Sequence, residues 1–86
     1  MSDSLLEFPC SFPIKMMGLD DPDFRDLAVS LVAQHVGDIA DTDVRISHSS
    51  NGKYVAVTVT IQAQSQQQLD SIYADLTAHD KIKVAL

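Results

Sequence analysis

From Tyr54 to Ala63 the chain reads YVAVTVTIQA. Val55, Val57, Val59 and Ile61 fall at every second position, and Tyr54, Ala56, Thr58, Thr60 and Gln62 fill the places between. Successive side chains of a strand point to opposite faces, so this segment has one apolar and one largely polar face. β-Branched residues at most of its positions suit a pleated sheet. A strand built this way is covered on one side and wet on the other. That calls for an antiparallel sheet with helices packed on a single face.

The flanking segments supply the other elements. Phe12–Met17 reads as a strand, with Ile14 and Met16 on one face, Lys15 and Met17 on the other, and Gly18 ending it. Asp21 is placed to cap a helix and Pro22 to occupy its first turn, where a missing N–H costs nothing. Phe24, Leu27, Ala28, Leu31, Val32 and Val36 then follow helical spacing up to Gly37, a common helix terminator. Asp43–Ser49 alternates, with Val44 and Ile46 on one face. Ser65 and Gln68 form an S-x-x-Q capping box ahead of Leu69, Ile72, Tyr73 and Leu76, which mark a second helix. In the closing strand Ile82, Val84 and Leu86 are expected inward, and Lys81, Lys83 and Ala85 outward. The expected fold is α+β: a ferredoxin-like βαββαβ sandwich, its four-stranded antiparallel sheet ordered 4-1-3-2, with two helices on one face. One domain spans residues 1–86, with residues 1–9 as an N-terminal extension.

The segment SSNGK, ahead of the alternating strand, bears on both fold and function. With Asn51-Gly52 as a two-residue type I′ turn, Val44 lies opposite Val59, Ile46 opposite Val57 and His48 opposite Val55. Arg45 then meets Thr58 and Ser47 meets Ala56, so apolar and polar pairs sort onto separate faces. Gly52 is expected to carry a positive φ. A phosphate-cradling loop needs G-x-x-x-x-G-K-[ST] leading into a helix. Here Gly52-Lys53 leads into a strand, so a hairpin corner is the reading.

Composition excludes several functions. The formal net charge of −6 argues against general nucleic-acid binding, which needs a basic footprint. No apolar run is long enough to span a membrane, and the acidic N-terminus does not read as a secretory signal. Cys10 is the single cysteine, so no internal disulfide or cysteine-based zinc site is expected, and a reducing cytosol is the expected location. His35, His48 and His79 lie on separate elements without ligand spacing and read as capping or packing residues. Asp20, Asp21, Asp23 and Asp26 coincide with a helix start, which carboxylates stabilise. No catalytic residue, cofactor or metal is expected.

The uncovered sheet face carries the most informative pattern. By strict alternation Lys15, Arg45, Lys81 and Lys83 project there, four of the six Lys and Arg residues of the chain. Thr58, Thr60, Gln62 and Tyr54 stand among them, with Asp43 the one carboxylate. This is a candidate surface for a protein partner or an anion. Sheets of this topology that bind RNA stack bases on central aromatics. Tyr54 is alone here and near a strand end, so nucleic acid is not the expected ligand.

LLEFPCSFPIKMMG (residues 5–18), SSNGKYVAVTVTI (49–61), LDSIYADL (69–76) and the closing IKVAL resemble the YbeD-like family of small bacterial proteins. The resemblance implies the same βαββαβ fold, similar to ACT-type regulatory domains, and no established activity. It supplies no catalytic residues. In ACT domains the loop after the first strand carries a glycine that lets a ligand approach; Asp23 stands at that place here. The expected function is a cytosolic regulatory or protein-interaction module without catalysis, forming a homodimer. The alternative is a metabolite sensor binding an amino acid or related molecule between the Gly18–Asp23 loop and a dimer neighbour.

Overall fold

The computed structural model describes residues 7–86. Most of the N-terminal extension expected over residues 1–9 lies outside that range. The elements are β1 (Cys10–Leu19), α1 (Phe24–Val36), β2 (Val44–His48), β3 (Tyr54–Ala63), α2 (Gln66–Ala78) and β4 (Val84–Ala85), with a 3-10 turn at Asp41–Asp43 leading into β2. The strands form one antiparallel sheet in the order β2-β3-β1-β4, the ferredoxin-like arrangement expected from the sequence.

The core follows the alternation. Ile14 and Met16 from β1 and Val55, Val57, Val59, Ile61 and Ala63 from β3 are buried together with Phe24, Ala28 and Val32 of α1 and Leu69, Ile72 and Leu76 of α2. Both helices therefore cover the same face of the sheet. α1 begins two residues later than expected, with Asp23 at the cap position, but Asp21 still acts there: its Oδ1 accepts from the Asp23 N–H at 2.8 Å. For α2 the Ser65 hydroxyl accepts from the Gln68 N–H at 3.0 Å. The Gln68 side chain accepts in return from Gln64 at 2.9 Å, one residue earlier than in a strict capping box.

The β2–β3 register is the expected one, from Val44↔Val59 to His48↔Val55. The turn that joins these strands is not type I′. Gly52 has φ +71°, but no residue other than glycine has positive φ among the described residues, and type I′ needs two. The hairpin closes at Ser49, whose N–H bonds the Tyr54 carbonyl at 2.9 Å, while the Gly52 N–H bonds the Ser49 carbonyl at 2.9 Å. Asn51 Oδ1 accepts from the Lys53 N–H at 3.0 Å and from the Ser49 hydroxyl at 2.8 Å. These side-chain bonds satisfy a wider loop that leaves Asn51 in an unstrained conformation and keeps the same register.

The closing strand departs from strict alternation. Ala85 pairs with Met16 and Val84 with Met17, so Val84 shares Met17's outward face and Ala85 packs against the core. Ile82 is also buried, three residues before Ala85. The Lys83 N–H reaches the Met17 carbonyl at 2.7 Å, one residue ahead of the register. Two residues thus oppose one, which is a β-bulge, and a bulge reverses the facing of everything beyond it. Val84 and Leu86, expected inside, are 42% and 64% exposed. Ile46, also expected inside, is 44% exposed, because β2 is an edge strand and the helices pack mainly over β3, β1 and β4. His48, on the same side of β2, is likewise exposed and meets Asp20 at 2.8 Å.

At Gly18 a Cβ would collide with the Phe24 ring and the Lys81 carbonyl. This glycine lets α1 and the approach to β4 close onto β1. Gly18→Ala is expected to lower the unfolding free energy by about 1–3 kcal/mol, the usual cost of overpacking. Urea denaturation measures it; an unchanged midpoint would show that these elements do not meet here.

Candidate functional site

The face of the sheet opposite the helices is built in rows by the two long ladders. One row runs Arg45–Thr58–Lys15, with Thr58 paired to both cations. The Lys15 N–H and carbonyl bond Leu86 at 3.1 and 2.8 Å, extending that row to the edge. The next row runs Ser47–Ala56–Met17–Val84, and the row beyond it pairs Tyr54 with Leu19. Thr60 lies on the other side of the cation row, opposite Pro13. Polar and apolar rows are thus adjacent. Met17, Leu19, Tyr54, Lys83 and Val84 line a shallow hollow of about 380 Å³. Three of its apolar members, Leu19, Tyr54 and Val84, are more than a third exposed.

The charges are segregated. Arg25 pairs with Asp41 at 2.9 Å and Asp26 at 3.3 Å, and Lys81 lies 3.9 Å from Asp21. Among the described residues Lys15, Arg45, Lys53 and Lys83 have no carboxylate partner. Lys53 Nζ stands 5.5 Å from the centre of the Tyr54 ring, a cation–π contact at the rim of the hollow. The cations away from the open face are therefore paired with acids, and those on it or at its rim are not.

Of the residues singled out in the sequence, Lys15, Arg45 and Thr58 share a row, Thr60 lies one row away, and Lys83 borders the hollow. Lys81 is a correction as to the strand: it sits in the turn before β4, because the strand starts later than expected, and lines one hollow with Asp21, Asp23 and Phe24 and a small one with Leu19 and Lys83. Val84 was missed because the bulge that turns it outward leaves no mark in the alternation. Lys53 belongs to the turn in the sequence, where nothing marks that its ammonium lies over the Tyr54 ring.

Tyr73 anchors the edge of this face from behind. Its hydroxyl donates to the Leu86 backbone oxygen at 2.6 Å, and burial pushes its pKa above the ordinary 10.0.

The histidines have local partners. His35 Nε2 is 2.6 Å from Asp75, tying α1 to α2, and His79 Nδ1 accepts from the Lys81 N–H at 3.2 Å. No three His, Cys, Asp or Glu side chains converge as a metal site among the described residues. Cys10 is partly buried against the core. No helix there is long and apolar enough to cross a membrane.

Residues 3–86 match a family described as protein of unknown function (DUF493). The chain belongs to this family. It is the family of the YbeD-like proteins that the sequence resembles. A UPF0250 protein of Paraburkholderia phytofirmans is 44% identical over 86 residues, covering 100% of this chain and 97% of its own length. One of Chromobacterium violaceum is 45% identical over 89 residues, with both chains fully covered. One of Neisseria gonorrhoeae is 41% identical over 83 residues, covering 96% of this chain and 91% of its own. The DUF493 chain thus matches each of these relatives over at least 91% of its length.

Tyr73→Phe is expected to cost about 1 kcal/mol, the net worth of a hydrogen bond. Tyr73 holds its proton more tightly folded than unfolded, so its contribution is fully present below pH 10 and lost as pH rises through the folded pKa. Part of the wild type's alkaline loss of stability should therefore disappear in the variant. Chemical denaturation from pH 8 to about pH 11 tests this; parallel curves would show that Tyr73 is not held in this way.

Proposed function

We propose that this chain is a non-catalytic interaction module whose open sheet face docks an acidic surface of a protein partner. The observation that carries the reading is a set of four cations without a carboxylate partner among the described residues, Lys83 and Lys53 at an exposed apolar hollow and Lys15 and Arg45 in the next row of the face, in a protein of net charge −6. Such a face repels a copy of itself and attracts carboxylates. Rim charges of this kind mainly steer encounter and set partner choice. Affinity comes from the apolar anchors, since burying a large apolar side chain contributes about 1.5–3 kcal/mol. The hollow accordingly holds the partner's apolar side chains and the cations its flanking acids. A regulatory role is the natural use of a binding module without chemistry of its own.

A metabolite sensor is the second reading. A hollow of about 250 Å³ lined by Asp21, Asp23, Phe24, Leu27, His79 and Lys81 adjoins the loop after β1. The space above Gly18, however, is filled by the Phe24 ring and the Lys81 carbonyl, so this glycine serves the protein's own packing.

A photo-crosslinking residue placed at Leu19 or Tyr54, with Ser30 on the helical side as control, tests the proposal in the native host. The expected product joins Leu19 or Tyr54 to an Asp/Glu-rich segment of one partner. Leu19→Asp should reduce its yield more than Lys15→Glu does, and raised salt should reduce it further. Equal products from position 30, or a partner contact without acidic residues, would refute the open face as the docking surface.

A further inference from the structure

We infer that the free edge of β2 joins a second copy of this chain, strand to strand, about a two-fold axis at Ile46. The two edges of the sheet are treated differently. At one edge β4 is only two residues long, and the adjoining stretch of β1 carries Pro13, which has no N–H to offer another strand. Lys15 and Lys83 flank that edge, so it carries the usual protections against strand addition. The β2 edge carries neither proline nor lysine, and its central residue, Ile46, is 44% exposed.

The ladder shows which backbone groups are free there. The Ser49 N–H bonds the Tyr54 carbonyl and the Asp20 N–H bonds the Lys53 carbonyl, which sets the alternation of the whole hairpin. Arg45 and Ser47 therefore bond to β3, and Val44, Ile46 and His48 turn their backbone groups outward. The Val44 N–H is already bonded to the Asp41 carbonyl. The Ile46 N–H and carbonyl, the His48 N–H and the Val44 carbonyl have no backbone partner among the described residues.

Antiparallel pairing centred on Ile46 uses these groups. Each Ile46 N–H meets the Ile46 carbonyl of the other copy, and each His48 N–H meets the Val44 carbonyl of the other copy. The one outward donor this register leaves aside, on Val44, is the one already satisfied. On the helical side Ile46 meets Ile46, an apolar pair. On the open side Arg45 meets Ser47, so like charges are not directly opposed. The acidic turn at Asp41 and Asp43 comes alongside the other copy's hairpin corner, which carries Lys53. The result is an eight-stranded sheet with one continuous open face. This edge is independent of the docking face proposed above, and either reading can fail alone.

Strand pairing of this extent is a small interface, so weak association is expected and the measurement spans about 10 µM to 1 mM. In sedimentation equilibrium the mass should rise from one 9.4 kDa chain toward twice that value. Amide exchange at Ile46 and His48 should slow over the same range. Ile46→Lys should raise the dissociation constant at least tenfold with an unchanged circular dichroism spectrum. Ile46→Pro removes an outward N–H without touching a β2–β3 bond and should do the same, whereas Leu19→Asp on the open face should leave the dimer intact. A monomer at every concentration, or self-association that Leu19→Asp abolishes and Ile46→Lys spares, overturns the inference.

Discussion

Ten consecutive backbone pairs between β1 and β3, from Cys10↔Ala63 to Leu19↔Tyr54, are the constraint on which the rest depends. Their register decides which side of every residue in the two central strands meets the helices. A slip of β1 by one residue against β3 would send Lys15 and Met17 into the core and Ile14 and Met16 into water, an exchange that no helix packing could compensate. The edge strands inherit this choice, β2 through the hairpin and β4 through its short ladder to Met16 and Met17. Core, open face and edges are thus consequences of one alignment.

That alignment also arranges the charges. The acids at the start of α1 and in the turn before β2 meet Arg25 and Lys81. The open face keeps cations that have no carboxylate partner among the described residues, beside side chains that remain partly wet for lack of a covering layer. A chain of net negative charge thus presents a locally positive, partly apolar surface. Surfaces of this kind favour an acidic partner over a copy of the same face. The second copy proposed for the β2 edge would be selected differently, by backbone groups without a partner among the described residues and by Ile46.

Much of this is legible in the sequence wherever alternation and caps act locally. Val55, Val57, Val59 and Ile61 assign the faces of β3, and the side chains opposite them assign the register of β2. Asp21, Ser65 and Gln68 mark the helix starts within a turn. Three features are not legible, each for a physical reason. The hairpin loop is settled by Ser49 and Asn51 side-chain bonds that compete with the turn preferred by Asn-Gly. The exposure of Ile46 depends on how far the helices reach across the sheet, which periodicity does not encode. The facing of Val84 depends on the bulge at Lys83, and Ile82-Lys83-Val84 reads equally well as plain alternation. The basic character of the candidate site is therefore legible in the sequence, and its apolar hollow is not.

The orientation of Val84 is the most direct test of the account, because the hollow on the open face exists only if the bulge turns that residue outward. Nuclear Overhauser effects from the Val84 methyls in solution measure it. The structure predicts contacts from Val84 to Met17, with the Ala85 methyl facing the core beneath α2. Contacts from Val84 to Ile72 or Leu76 instead would restore plain alternation to β4 and remove the apolar half of the proposed binding face.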